Sequence, residues 1–159
     1  MDEIINEQEN PGYATPFNVD LFGSKPKNFY AEYTRRVLAL PESVRNIMMD
    51  SSTAEFVGEN LSSTYNLTAE QGTEITRIIR DILLGDAPLN SMPSLISSKL
   101  DTDQETSSQI ANKIVNELFS PAIEDIKKLQ ADRPPERPDL KIDPSINKNN
   151  IVDLRNRNS

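Results

Sequence analysis

From Asn28 to Ala131 the apolar residues return every three or four positions, the spacing of helices that each bury one face. Phe29, Tyr30, Tyr33, Val37 and Leu40 mark the first helix. Pro41 ends it and suits the opening of a second, whose stripe is Val44, Ile47 and Met48. Met49 is expected in the core beside Met48. Ser52-Thr53-Ala54-Glu55 reads as a capping box that starts a third helix with Phe56, Val57 and Leu61. Thr68-Ala69-Glu70-Gln71 is a second box, and Ile75, Ile78, Ile79, Ile82 and Leu83 form the strongest stripe in the chain. Gly85 supplies a left-handed stop. Pro93 opens a short helix with Leu95, Ile96 and Leu100. Thr102-Asp103-Gln104-Glu105 reads as a third box, before Ile110, Ala111, Ile114, Val115, Leu118 and Phe119. Ser120 and Pro121 then read as N-cap and first position of a last helix carrying Ala122, Ile123, Ile126 and Leu129.

The two ends lack this pattern. Residues 1–26 hold Pro11, Gly12, Pro16, Gly23 and Pro26 without an apolar period, and residues 132–159 include the stiff run Arg133-Pro134-Pro135-Glu136-Arg137-Pro138. The expected organisation is a disordered acidic arm over 1–26, a helical domain over 27–131 and a disordered, Pro-rich, charged tail over 132–159. Each arm carries an apolar island: Tyr13, Phe17, Val19, Leu21 and Phe22 in the first, Ile151, Val152 and Leu154 in the second.

Shifting the chain by 35 residues lays one hairpin on another. Leu61-Ser62-Ser63 falls on Ile96-Ser97-Ser98, Ile75 on Ile110, Ile79 on Ile114, Leu83 on Leu118 and Leu84 on Phe119. Each copy is a short helix, a capped turn and a longer helix, at the period of helical repeats. Two units bury poorly alone, so the segment from Phe29 to Met49 is expected to close them into an all-α, compact bundle of about seven helices containing two duplicated helical hairpins.

Composition narrows the chemistry. With no cysteine and no histidine, thiolate nucleophiles, histidine triads and Cys/His metal sites are excluded. The net charge is −8; the N-terminal arm has one base and five acids, the helical segment ten and fifteen, and the tail six and five. Such a surface repels phosphate backbones. If the first hairpin read DNA, its second helix would open on basic or amide side chains. It opens on Ala69, Glu70, Gln71, Gly72, Thr73 and Glu74, two acids and no base. Asp101-Thr102-Asp103 lacks the glycine and terminal glutamate of a calcium loop. Arg77 and Arg80 lie opposite the Ile75/Ile79 stripe, with Glu74–Arg77 and Arg77–Asp81 as helical pairs.

The blocks Leu40-Pro41-Glu42-Ser43-Val44, Ile82-Leu83-Leu84-Gly85-Asp86 and Ile110-Ala111-Asn112-Lys113-Ile114-Val115, with Leu118-Phe119-Ser120-Pro121-Ala122, resemble a group of small helical proteins of reduced-genome bacterial lineages. The likeness covers roughly residues 36–130. It implies a helical fold and a bacterial cytosol, and no activity.

The expected function is therefore that of a non-enzymatic protein–protein interaction or adaptor module, cytoplasmic and without cofactor or metal, with no membrane span and with nucleic acid disfavoured. Its expected partner-binding anchors are Phe17, Leu21 and Phe22 at one end and Ile151, Val152 and Leu154 at the other. Whether they dock in cis or on a protein partner stays open at this level. The alternative is a nucleic-acid-associated regulator that uses a helical hairpin.

Overall fold

A computed structural model describes residues 14–21 and 25–132. Among them are seven helices and no strand. Helix α1 is Phe29–Leu38 and α2 is Glu42–Met49. Helix α3 runs over 51–65, with a π turn at Phe56–Leu61 between α-helical Ser51–Glu55 and Ser62–Tyr65. Helix α4 is Ala69–Leu83 and α5 is Met92–Leu100. Helix α6 covers 104–118, α-helical over Gln104–Lys113 and π over Ile114–Leu118, and α7 is Ile123–Asp132. Helix α4 is central: it meets the π turn of α3, then α5, α2 and α7. One core joins them, from Val37 and Val44 through Ile75, Ile79 and Ile82 to Ile96, Ile110, Ile114, Phe119 and Ile126. Met48 is in it, but Met49 is 46% exposed and is not the core residue the sequence pattern predicts, because α2 ends there.

The capping chemistry is partly as expected. Thr68 and Gln71 form a complete box: Gln71 N–H donates to Thr68 Oγ1 at 3.1 Å, and Thr68 N–H to Gln71 Oε1 at 2.9 Å. The other two boxes are displaced. Asp50 caps α3 by accepting from Ser52 N–H at 2.9 Å, so Ser52 lies inside the helix. Asp103, one residue past Thr102, caps α6 by accepting from Thr106 N–H at 2.9 Å. Aspartate is among the strongest N-caps, and here it takes the position from a neighbouring hydroxyl. Ser120 makes no side-chain cap; Ser120–Ala122 is a 3-10 turn leading into α7. Gly85 has φ 82°, the left-handed stop its sequence position implies.

The two hairpins agree in backbone as well as sequence. Asn66 and Asp101, 35 apart, both close their helix in the left-handed region, at φ 56° and 58°. The caps Thr68 and Asp103 both have ψ 167°. Leu61 and Ile96, Ile75 and Ile110, and Ile79 and Ile114 are all fully buried. Beyond that point the correspondence slips. Leu83 is buried where Leu118 is half-buried, and Phe119 is buried where Leu84 is half-buried. The π turn at Ile114–Leu118 explains the slip. An i→i+5 turn holds one residue more than an α turn, which rotates the succeeding residues by about 100° and brings Phe119 to the core in place of Leu118.

Gly72 and Ser107 are a buried equivalent pair, one without a side chain. A Cβ at Gly72 would lie 3.7 Å from Ser62 Oγ and from Val57 Cγ1, ordinary contact distances. Gly72→Ala is therefore expected to stabilise the fold by about 0.5–1 kcal/mol, the helical penalty of glycine relative to alanine. Urea melts of the two chains would show it; a loss of stability would mean that the α3–α4 contact has no room for a methyl.

Residues 14–21 lie against the helices, with Phe17 and Leu21 packed on the core. The packed unit therefore begins before residue 27, the start expected for the helical domain.

Candidate interaction surface

The segment 14–21 forms a strap of two overlapping turns. Asn18 N–H donates to Thr15 O and Leu21 N–H to Asn18 O, both at 3.1 Å. Thr15 and Asn18 also exchange side-chain bonds: Thr15 N–H donates to Asn18 Oδ1 at 2.9 Å, and Asn18 N–H to Thr15 Oγ1 at 3.2 Å. These local bonds satisfy backbone groups that would otherwise need a helix or sheet.

Three layers hold the strap. The first is aromatic. The Phe17 ring stacks on Tyr33, centroids 5.3 Å apart and planes 12° apart, and Phe29 stacks on Tyr33 at 5.4 Å. Tyr30 meets Phe29 edge-on at 5.3 Å. The second layer is backbone. Phe17 N–H donates to Met48 O at 2.9 Å, Tyr33 OH donates to Phe17 O at 2.7 Å, and Tyr30 OH donates to Leu21 O at 2.8 Å. The third is ionic. Asp20 accepts from Arg77 Nε and Nη2 and from Arg80 Nη1. The two arginines are themselves steadied, Arg77 Nη1 by Glu74 at 2.8 Å and Arg80 Nε by Asp81 at 3.0 Å. Of the two pairs the helical spacing predicts, Glu74–Arg77 forms and Arg77–Asp81 does not, because Asp81 pairs with Arg80 and Arg77 turns to Asp20.

Partial burial alone would raise the Asp20 carboxyl. Hydrogen bonds and charge from Arg77 and Arg80 outweigh that and hold it below its ordinary value of 3.8. A depressed folded pKa means stability that is complete above the unfolded value and lost as pH falls through the folded one. Acidification below about 4 is therefore expected to loosen the strap before the helices melt. Amide exchange at Phe17, tracked against far-UV circular dichroism, would show the two events; simultaneous loss would mean that the ion pairs carry no separate strap equilibrium.

Two grooves share residues with the strap or its partners. One, of about 340 Å³, has Phe29, Tyr33 and Leu84 as its apolar surface and Lys25, Arg36 and Arg80 among its charged groups. Lys25 Nζ stands 5.3 Å from the Phe29 ring centre, and Arg36 forms a two-pronged pair with Asp86 at 2.8 and 3.2 Å. The other, of about 450 Å³, lies between the hairpins and is polar, lined by Glu70, Gln71, Thr73, Glu74, Arg77 and Lys99.

Of the sequence-predicted anchors, Phe17 and Leu21 are half-buried and packed against the core in cis. Phe22, Ile151, Val152 and Leu154 lie outside the described residues. Asp20 was not among the predicted anchors, although it carries most of the strap's polar contacts with α4. Its partners are 57 and 60 residues away, beyond any local pattern. An acid three residues after the aromatic of an apolar island is the only signal it leaves in the sequence.

No group of three or more His, Cys, Asp or Glu side chains among the described residues is arranged to hold a metal ion. Among them, too, no helix is long and apolar enough to cross a membrane. Comparison with protein-family models, with curated proteins and with solved structures returns no match.

Proposed function

We propose that this chain is a non-enzymatic, cytoplasmic protein-interaction module that holds short, non-helical segments of protein against its helices. The observation that carries the reading is the strap itself. Eight residues without helix or strand are fixed on the bundle by a ring slot, a carboxylate clamp and hydroxyl donors to backbone carbonyls. These are the means by which proteins recognise linear segments. The charged groups around the strap favour binding over catalysis. Arg36, Arg77 and Arg80 are all engaged by carboxylates. The carboxyls with shifted pKa values, Asp20, Asp50 and Asp103, are all moved down, away from the range of a general acid. Committed arginines on an acidic chain also offer little to a phosphate backbone.

A photoreactive phenylalanine analogue placed at Lys25, and separately at Lys99, samples the two grooves. Cross-linking in extract of the native cells should give discrete protein adducts that excess unlabelled chain competes away. If neither position yields a competed adduct, the interaction reading fails.

A further inference from the structure

We infer that residues 14–21 occupy in cis a docking site for a segment of another protein that carries an aromatic residue and, three positions later, an aspartate or glutamate. This deepens the interaction-module reading and rests on it.

The receptor side is formed without the strap's help. Tyr33 is also stacked with Phe29, a residue outside the strap. Arg77 and Arg80 are oriented by Glu74 and Asp81, which sit on the same helix. The Thr68/Gln71 box and the buried Ile75 and Ile79 fix that helix. A vacated site would thus keep a flat aromatic face and two guanidinium groups one helical turn apart, a preorganised fork for one carboxylate.

What the receptor reads divides in two. The hydroxyls of Tyr33 and Tyr30 donate to the carbonyls of Phe17 and Leu21, which any peptide offers. The ring at position 17 is read by stacking and the carboxylate at position 20 by ion pairing, while Pro16 and Leu21 add apolar contact. The spacing between ring and carboxylate, not a long sequence, is the recognition element.

Few of the strap's contacts are buried. A single backbone N–H of the strap, that of Phe17, donates to the helices. Phe17, Asn18, Val19, Asp20 and Leu21 are all only half-buried; Pro16 alone among 14–21 is buried. Segments with few buried contacts open locally at low cost. Tethering gives the cis segment an effective concentration on the order of millimolar, so it competes with any trans segment and sets a threshold for partners.

The test uses the full chain. Phe17→Ala combined with Asp20→Ala removes both recognition groups from the strap and leaves the receptor residues unchanged. A synthetic peptide of residues 14–24 is then titrated calorimetrically onto this variant and onto the unaltered chain. The variant should bind the peptide about tenfold or more tightly than the unaltered chain, whose site is mostly filled. A peptide lacking the Asp20 carboxylate (Asp20→Asn) or the Phe17 ring (Phe17→Ala) should bind the variant about tenfold or more weakly. Equal binding by the two chains, or indifference to the ring and the carboxylate, overturns the inference.

Should the variant lose its helical signal, the unaltered chain still decides. The Phe17 amide should exchange with solvent by a local opening, well before those of Ile79 and Ile114. Exchange of Phe17 only through global unfolding would make the strap part of the core and sink the inference. Neither measurement involves a cellular partner. A failed peptide titration beside competed cross-links would leave the interaction module standing and remove only this site.

Discussion

Phe119→Ala is expected to cost about 3–5 kcal/mol and to lower the melting temperature by roughly 12–30 °C. Phe119 is fully buried, and the 3-10 turn directly after it packs on α2 and α7. Replacing the ring with a methyl removes its transfer energy and leaves a cavity that close-packed isoleucines cannot collapse into. Domains of this size hold only about 5–15 kcal/mol in all, so the loss is a large share of the whole. The informative comparison is Leu84→Ala, at the equivalent position of the first hairpin. Leu84 is half-buried and forms part of the groove beside the strap. Its truncation should cost about 1–2 kcal/mol, in proportion to the smaller apolar area it covers. Urea titrations of both variants would check this. Equal costs would mean that the π turn does not rotate Phe119 into a more buried place than Leu84 holds.

That slip between the hairpins marks how far the sequence could be read. Helices and their stripes are local properties, and Ile75, Ile79, Ile110 and Ile114 come directly from the 3.6-residue period. The repeat also carries over to the turns, since Asn66 and Asp101 adopt the same left-handed stop. The π turn at Ile114–Leu118 leaves no mark in the apolar period, so Leu118 and Phe119 exchange roles unannounced. The caps show a similar limit. Ser52 and Thr102 fit the box pattern, yet Asp50 and Asp103, each within two residues, take the role. The pattern locates a helix start to within a turn, and competition among neighbouring acceptors decides the residue. The candidate site was less legible, because it joins distant residues. Phe17 and Leu21 stood out as an apolar island, but Tyr33 read only as one member of a helix stripe. That Tyr33 stacks with Phe17, and that Asp20 reaches Arg77 and Arg80, depend on tertiary placement.

Tyr33 separates the strap's structural role from its bonding, and its two substitutions should behave differently. Tyr33→Ala removes the ring that stacks with both Phe17 and Phe29, and its loss is expected to cost about 3 kcal/mol or more. With no face to stack on and no hydroxyl on the Phe17 carbonyl, the strap should leave the bundle, and the Phe17 amide should exchange as a free peptide. Tyr33→Phe keeps the stack and loses the 2.7 Å bond to Phe17 O, about 0.5–1.5 kcal/mol, and should keep the strap in place. The phenol itself gives a second handle. Burial pushes its pKa from 10 up to about 12, against smaller opposing effects of nearby arginines. A raised folded pKa means a contribution that is complete below pH 10 and lost as pH climbs through about 12. Tyr33 should therefore ionise late in an absorbance titration, and Tyr33→Phe should abolish that late step. The strap of the unaltered chain should loosen across this alkaline window, because an ionised Tyr33 can no longer donate to Phe17 O. In Tyr33→Phe the strap should loosen less over the same range. Identical alkaline loosening in both chains would place its cause elsewhere than the Tyr33 hydroxyl and leave the ring stack as that residue's whole contribution.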